Sequence, residues 1–262
     1  IPGSYNGRDL RMLIGFVRMM LRERVLGSSL GMIWAIANPL LMLGIFTFVF
    51  GFVFKSRLPG AESSLSFVIW LISGYGPWLA VAEAFSASTA AVVGNGGLVK
   101  NLTFKTELLP IAAGLTGIVP LLVAVCYLVV LLAADGRGPT LSWLFVPVYL
   151  VLLFSFVIGL GMMLAALNVF VRDVGMALPS VLTMIMFGSP IFYPLTSFPT
   201  LVQHIMRFNP FYVLCEGFRQ PLLYGQAPPL WATSYMVVVS AVTFALGLVV
   251  FRRCQRYFDA HL

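Results

Sequence analysis

Residues 141–168 read LSWLFVPVYLVLLFSFVIGLGMMLAALN, 28 positions without one charged side chain. A helix needs about 20 predominantly apolar residues to cross a bilayer, so this stretch is long enough to span. Outward from it, the same reading applies to 30–54, 65–93, 108–134 and 230–251, and to the shorter 174–193. The expected fold is an all-α integral membrane protein with six transmembrane helices.

Composition supports this, with 60% hydrophobic and 10% charged residues, against the quarter or so charged in soluble domains. A soluble fold is excluded, and no polar run is long enough for a second core. The net charge of +7 comes from basic residues beside apolar segments, a pattern that suits anionic lipid headgroups and not nucleic acid. Cys126, Cys215 and Cys254 lack metal spacing, so they read as packing residues and no metal site is expected.

Basic residues set the expected orientation. With both termini in the cytoplasm, Arg8, Arg11, Arg18, Arg22, Arg24, Lys100, Lys105, Arg172, Arg252, Arg253 and Arg256 lie inside. Lys55, Arg57, Arg137, Arg207 and Arg219 lie outside, a split of 11 to 5 among the 16 basic residues.

The first 29 residues read as a separate element. Between Tyr5 and Val25, Leu10, Leu13, Ile14, Val17, Met20 and Leu21 share one helical face, and Arg8, Arg11, Arg18 and Arg22 another. This is the pattern of an amphipathic helix lying in the membrane interface. It reads as a helix and not as a cleavable signal peptide. Gly27, Ser28 and Ser29 make a break before the six-span body at 30–262.

Within the spans, Asn38-Pro39, Gly74-Tyr75-Gly76-Pro77, Pro110, Pro120 and Pro147 are candidate kinks. Ala80, Ala82, Ala84, Ser86, Ala87, Ser88 and Ala90 permit either close helix packing or a smooth wall. Glu83 is the ionisable residue set well inside a span, where a charge faces a bundle interior or water.

Residues 188–229, GSPIFYPLTSFPTLVQHIMRFNPFYVLCEGFRQPLLYGQAPP, hold apolar pieces too short to span, broken by prolines. They read as a re-entrant excursion that dips into the membrane and returns. Its aromatics suit an interfacial belt, with stacking surfaces for sugar rings as the alternative.

Four phrases occur in a familiar order: LGSSLGMIWAIANPLLMLGIFTFVFGFVF at 26–54, GNGGLVKNLTFKTELLPIAAGL at 94–115, ALNVFVRDVGMALPSVLTMIMFGSPIFYPL at 166–195 and FNPFYVLCEGFRQPLLYG at 208–225. Together they resemble the membrane subunit of type-2 ABC exporters, in the branch exporting lipid-linked polysaccharide such as O-antigen or teichoic acid. The resemblance implies a homodimer in the bacterial inner membrane, with a pore between its copies. Two copies of a separate ATPase subunit would dock below, carrying the ATP and Mg, so that this chain is a transport subunit with no cofactor of its own. No G-x-x-x-x-G-K-[ST] stretch is present to cradle phosphates.

The resemblance further implies that the interface helix, through Arg11, Arg18 and Arg22, and the loop Gly94–Glu107, through Lys100, Lys105 and Glu107, couple to the ATPases. Arg172 and Asp173 belong to the other cytoplasmic loop. Residues 188–224 become the extracytoplasmic gate, with Pro190, Phe192, Tyr193, Pro194, Phe208, Pro210, Phe211, Tyr212, Glu216 and Arg219. Trp34, Tyr75, Trp78, Glu83 and Phe85 are the expected path-lining residues.

Alternatives from other classes fare worse. An intramembrane enzyme needs paired acids or a nucleophile with its base, and the acids here are scattered. An ion channel or secondary transporter calls for more intramembrane polar residues or an internal repeat. A permease for a drug or small lipid shares the exporter architecture and is the runner-up.

Overall fold

The computed structural model describes residues 6–23, 31–54, 64–101 and 104–260. The expected break at Gly27–Ser29 and the outer charges Lys55 and Arg57 lie outside the described residues.

Among those residues every regular element is helical. α1 (Gly7–Glu23) is the amphipathic helix, and no residue of it is fully buried. α2 (Gly31–Phe46) continues as a wider π-helical turn through Thr47–Val53, which the sequence did not announce. Then come α3 (Ser64–Gly94), α4 (Gly96–Asn101), α5 (Leu108–Leu115) and α6 (Ile118–Ala134). The second half holds α7 (Phe145–Phe170), α8 (Asp173–Gly188), α9 (Thr200–Met206), α10 (Pro210–Leu223) and α11 (Leu230–Cys254).

Five of the expected spans are recovered as helical segments long and apolar enough to cross a membrane: Ile33–Val53, Leu65–Gly94, Leu108–Ala134, Leu141–Phe170 and Leu230–Phe258. The expected fifth span, 174–193, is realised as α8, whose 16 residues rise only about 24 Å against a hydrocarbon core of about 30 Å. It stops at Gly188 because Pro190 cannot continue the ladder.

α3 is the most enclosed of these segments, with 78% of its apolar window buried, whereas α2 has 11%. α3 therefore forms the axis on which α5, α6, α7 and α10 pack. Its small residues divide between two faces. Ala80, Ala84 and Ser88 are buried, while Ala82, Ser86, Ala87 and Ala90 form an open strip with Glu83.

Glycine permits the closest approaches. A Cβ on Gly247 would stand 2.1 Å from the Gly159 carbonyl oxygen, so α7 and α11 touch backbone to backbone. A Cβ on Gly117 would meet the Ala80 carbonyl at 2.7 Å, and here the third span breaks into α5 and α6. The kink expected at Pro120 thus falls at Thr116-Gly117, and Pro120 occupies the first turn of α6, where its missing N–H costs nothing.

Buried polar groups stitch the layers. Ser88 donates to the Pro110 carbonyl (2.9 Å) and Ser240 to that of Leu152 (2.9 Å). Asn168 donates to the Thr89 carbonyl (3.0 Å) and accepts from the Gly175 amide (2.9 Å), tying α7 and α8 to α3.

Candidate functional site: a re-entrant gate and a charged end

The chain enters α10 through Asn209-Pro210. The Asn209 side chain accepts from the Phe211 amide (3.0 Å), and Pro210 fills the first turn. This pairing starts a helix firmly. The Asn209 amide also donates to Ser189 (2.9 Å), fastening the start of α10 to the elbow after α8.

Contacts along α10 fix its direction. Phe211 lies against Trp78 (5.7 Å between ring centroids), Phe85 (6.3 Å) and Phe156 (5.5 Å), deep in the bundle. One turn later Cys215 donates to the Gly74 carbonyl (3.2 Å), and one turn beyond it Arg219 reaches Trp70. α10 therefore climbs back toward the end where α3 began, as a re-entrant hairpin requires.

Arg219 is 1% exposed. Its guanidinium lies over the Trp70 ring, 4.0 Å from the centroid. It donates to the carbonyls of Trp70 (3.3 Å), Pro190 (3.4 Å) and Ile191, and pairs with Glu216 (2.9 Å). A charge so deep is tolerated only with such saturation. Gly74 makes the room, since a Cβ there would stand 2.1 Å from the guanidinium. The sequence reading put Arg219 in an outer loop; it is instead a bolt joining α3, α10 and the elbow at Pro190-Ile191.

The other residues expected at the gate lie along the elbow and α10. Phe192 packs against Phe46 (5.4 Å), Tyr75 (5.5 Å) and Phe187 (5.5 Å). The Tyr193 hydroxyl donates to the Phe187 carbonyl, and Pro194 leads into a short 3-10 turn. Phe208, exposed, meets Trp231 and Tyr235. Tyr212 and Glu216 look out on the less buried side of α10.

The five expected path residues do not share one open surface. Tyr75, Trp78 and Phe85 are buried in the subunit, beneath Phe192 and Phe211. Trp34 is 48% exposed on α2, and Glu83 is half-buried on the open strip of α3. The aromatic residues were read from their type, which cannot tell a packed ring from a lining one.

The opposite end carries α1. Lys105 pairs with Asp9 (2.7 Å), and Phe104 packs on Phe16 (5.3 Å), clamping the loop after α4 to α1. The Lys105 hydrogen bond holds the Asp9 carboxyl below its ordinary pKa, helped by the Asn6 amide. Glu107 is buried and receives Arg252 of α11 at 2.9 Å. Lys105 and Glu107, expected at the ATPase contact, here pair within the chain and hold this end together. Arg11, Arg18, Arg22, Lys100, Arg172 and Asp173 are exposed.

Sequence reading missed Trp70, Gln220, Asn209 and the partners Asp9 and Arg252. Asn-Pro before an apolar run was a legible helix start; the ion-pair partners lie 96 and 145 residues apart and left no local signal. Among the described residues no three His, Cys, Asp or Glu side chains are placed to hold a metal.

Comparison with known proteins agrees with this architecture. The family model described as ABC-2 type transporter matches residues 14–223. The chain is 24% identical over 260 residues to an O-antigen export system permease protein of Klebsiella pneumoniae, covering 98% of both chains. It is 26% identical over 234 residues to an O-antigen export permease of Myxococcus xanthus, covering 87% of each. Against a polysialic acid transport protein of Escherichia coli it is 23% identical over 233 residues, covering 88% of this chain and 89% of the other. With most of its length matched by the family model and its helices ordered as a membrane bundle, the chain belongs to the ABC-2 type transporter family.

Proposed function

We propose that this chain is the transmembrane subunit of an ATP-driven exporter that carries a lipid-linked polysaccharide out of the cytoplasm. The observation that carries the reading is the similarity to an O-antigen export permease over 98% of both chains. Two copies form the pore, and two separate ATPase subunits supply ATP and Mg at the α1 end. Each copy crosses the bacterial inner membrane six times, α8 with its elbow serving as the fifth span.

The charge pattern supports cytoplasmic termini. Arg219 is buried and drops out of the outer set of 5, leaving 4 outer basic residues against 11 inner ones. Exposed Arg11, Arg18, Arg22, Lys100 and Arg172 offer a basic surface to the ATPase. The pair Lys105–Asp9 makes α1 and the coupling loop one lever, and Glu107–Arg252 ties that lever to α11.

ATP binding favours one arrangement of the ATPase pair, and the lever passes its displacement to α3 and α5. Deep in the bundle the rings of Trp78, Phe85 and Phe211 pack together at the start of α10. A sliding polymer needs many weak contacts, and these rings supply them when the hairpin lifts.

Purification of the tagged chain from its own membrane in mild detergent tests the reading. Recovery of a stoichiometric ATPase subunit with ATP hydrolysis is expected; a chain that purifies alone and without hydrolysis under several gentle conditions contradicts it.

A further inference from the structure

At the end opposite α1, a cavity of about 150 Å3 opens between α10, the start of α11 and α7. A pocket for a drug-sized ligand is about 300–1,000 Å3, so this one suits a single small ring. Tyr149 forms its floor, fixed by a bond between its hydroxyl and Thr233 (3.1 Å). Trp231, half exposed at the start of α11, stands on the wall facing α10.

The α10 wall decides the chemistry. Most of that helix is buried, but Tyr212, Glu216 and Gln220 recur every fourth residue and form its half-open strip toward the cavity. Buried Arg219 holds one oxygen of Glu216 at 2.9 Å, and the Gln220 amide reaches the other at 3.3 Å. The carboxylate is thereby locked in place, with lone pairs to spare for a hydroxyl.

We propose that this cavity is a subsite for one neutral pyranose unit of the exported glycan. A pyranose presents an apolar C–H face and a rim of hydroxyls. The face stacks on Trp231 and Tyr212, and the rim bonds to Glu216 and Gln220. A lipid tail would strip water from those two polar groups without replacing its bonds. An acidic sugar would set a second carboxylate against Glu216, which like-charge repulsion disfavours. Arg219 acts as a positioning residue by holding Glu216. The identity of the ligand as part of the cargo rests on the export reading; the binding itself needs no ATP.

Saturation-transfer NMR on the full chain in phospholipid nanodiscs, free of sugar-headed detergents, tests the subsite. The probes are the methyl glycosides of mannose, glucose, galactose and rhamnose, with methyl glucuronide as the acidic control. Saturation transfer to at least one neutral glycoside and none to the glucuronide is expected. Trp231→Leu and Gln220→Leu abolish it, and Cys126→Ala, at an exposed position away from the cavity, keeps it. Because Trp231 is half exposed, its loss leaves the fold in place. Silence from every neutral glycoside, equal transfer in Trp231→Leu, or preference for the glucuronide overturns the proposal. Neutral-sugar transfer that depends on Trp231 in a protein supporting no glycan export overturns the export reading alone. Normal export without transfer overturns the subsite alone.

Discussion

Arg252, two residues from the end of α11, donates from Nε (3.1 Å) and Nη2 (2.9 Å) to the same carboxylate oxygen of Glu107, at the mouth of the third span. The contact joins the loop after α4 to the last helix, although 145 residues separate the pair. Glu107 is 4% exposed and Arg252 29%, so the carboxylate is the desolvated partner.

Replacing Glu107 by Gln leaves the guanidinium facing a neutral amide. Fully buried pairs lose about 3–5 kcal/mol when broken, and partial exposure of Arg252 reduces the expected loss to about 2 kcal/mol. A double-mutant cycle with Arg252→Gln, read by thermal unfolding in detergent, gives the coupling; additive effects would refute the pairing.

Arg219 stands the other way, with the cation buried. Arg219→Gln is expected to cost about 3–5 kcal/mol, because Glu216 and three carbonyls lose their donor. Proteolysis within 189–209 after this change, in protein whose α3 and α7 stay protected, reports release of the hairpin. Unchanged protection would show that the bolt is dispensable.

Glycine substitutions separate contact from sequence position. Gly247→Ala drives a methyl into the Gly159 carbonyl and forces α11 off α7, costing about 3 kcal/mol. Gly15→Ala on α1 meets nothing within 4 Å and gains helix propensity, up to about 1 kcal/mol. Unfolding midpoints that move together in the two variants would contradict the packing.

Asp9 gives the docking of α1 a pH dependence. Its folded pKa lies below the unfolded value of about 3.9, so its contribution is fully present above that value and fades as pH falls through the folded pKa. A spin label on α1 is expected to gain mobility below about pH 4 in the wild type. In Asp9→Asn the mobility is high already at neutral pH and changes little.

The bundle was readable because a bilayer demands long apolar helices, as at 141–168. The amphipathic helix α1 was legible in the spacing of Leu10, Leu13 and Val17 against Arg11, Arg18 and Arg22. Positions of side chains were less so. Trp78 and Phe85 look the same in sequence whether they line a path or pack beneath Phe211. Arg219 looked like a loop charge because its saturating partners, carbonyls of Trp70, Pro190 and Ile191, come from backbone and have no residue signature. The strip Tyr212, Glu216 and Gln220 becomes a strip only once α10 is known to bury its other faces.

Deletion of the gene in its own cell, with glycan measured at the surface and on its lipid carrier inside, tests the central claim most directly. Loss of the surface polysaccharide together with accumulation of the finished lipid-linked polymer on the cytoplasmic side is predicted, with both reversed by the wild-type chain. Surface polysaccharide at its normal level, with no polymer held inside, would contradict the account.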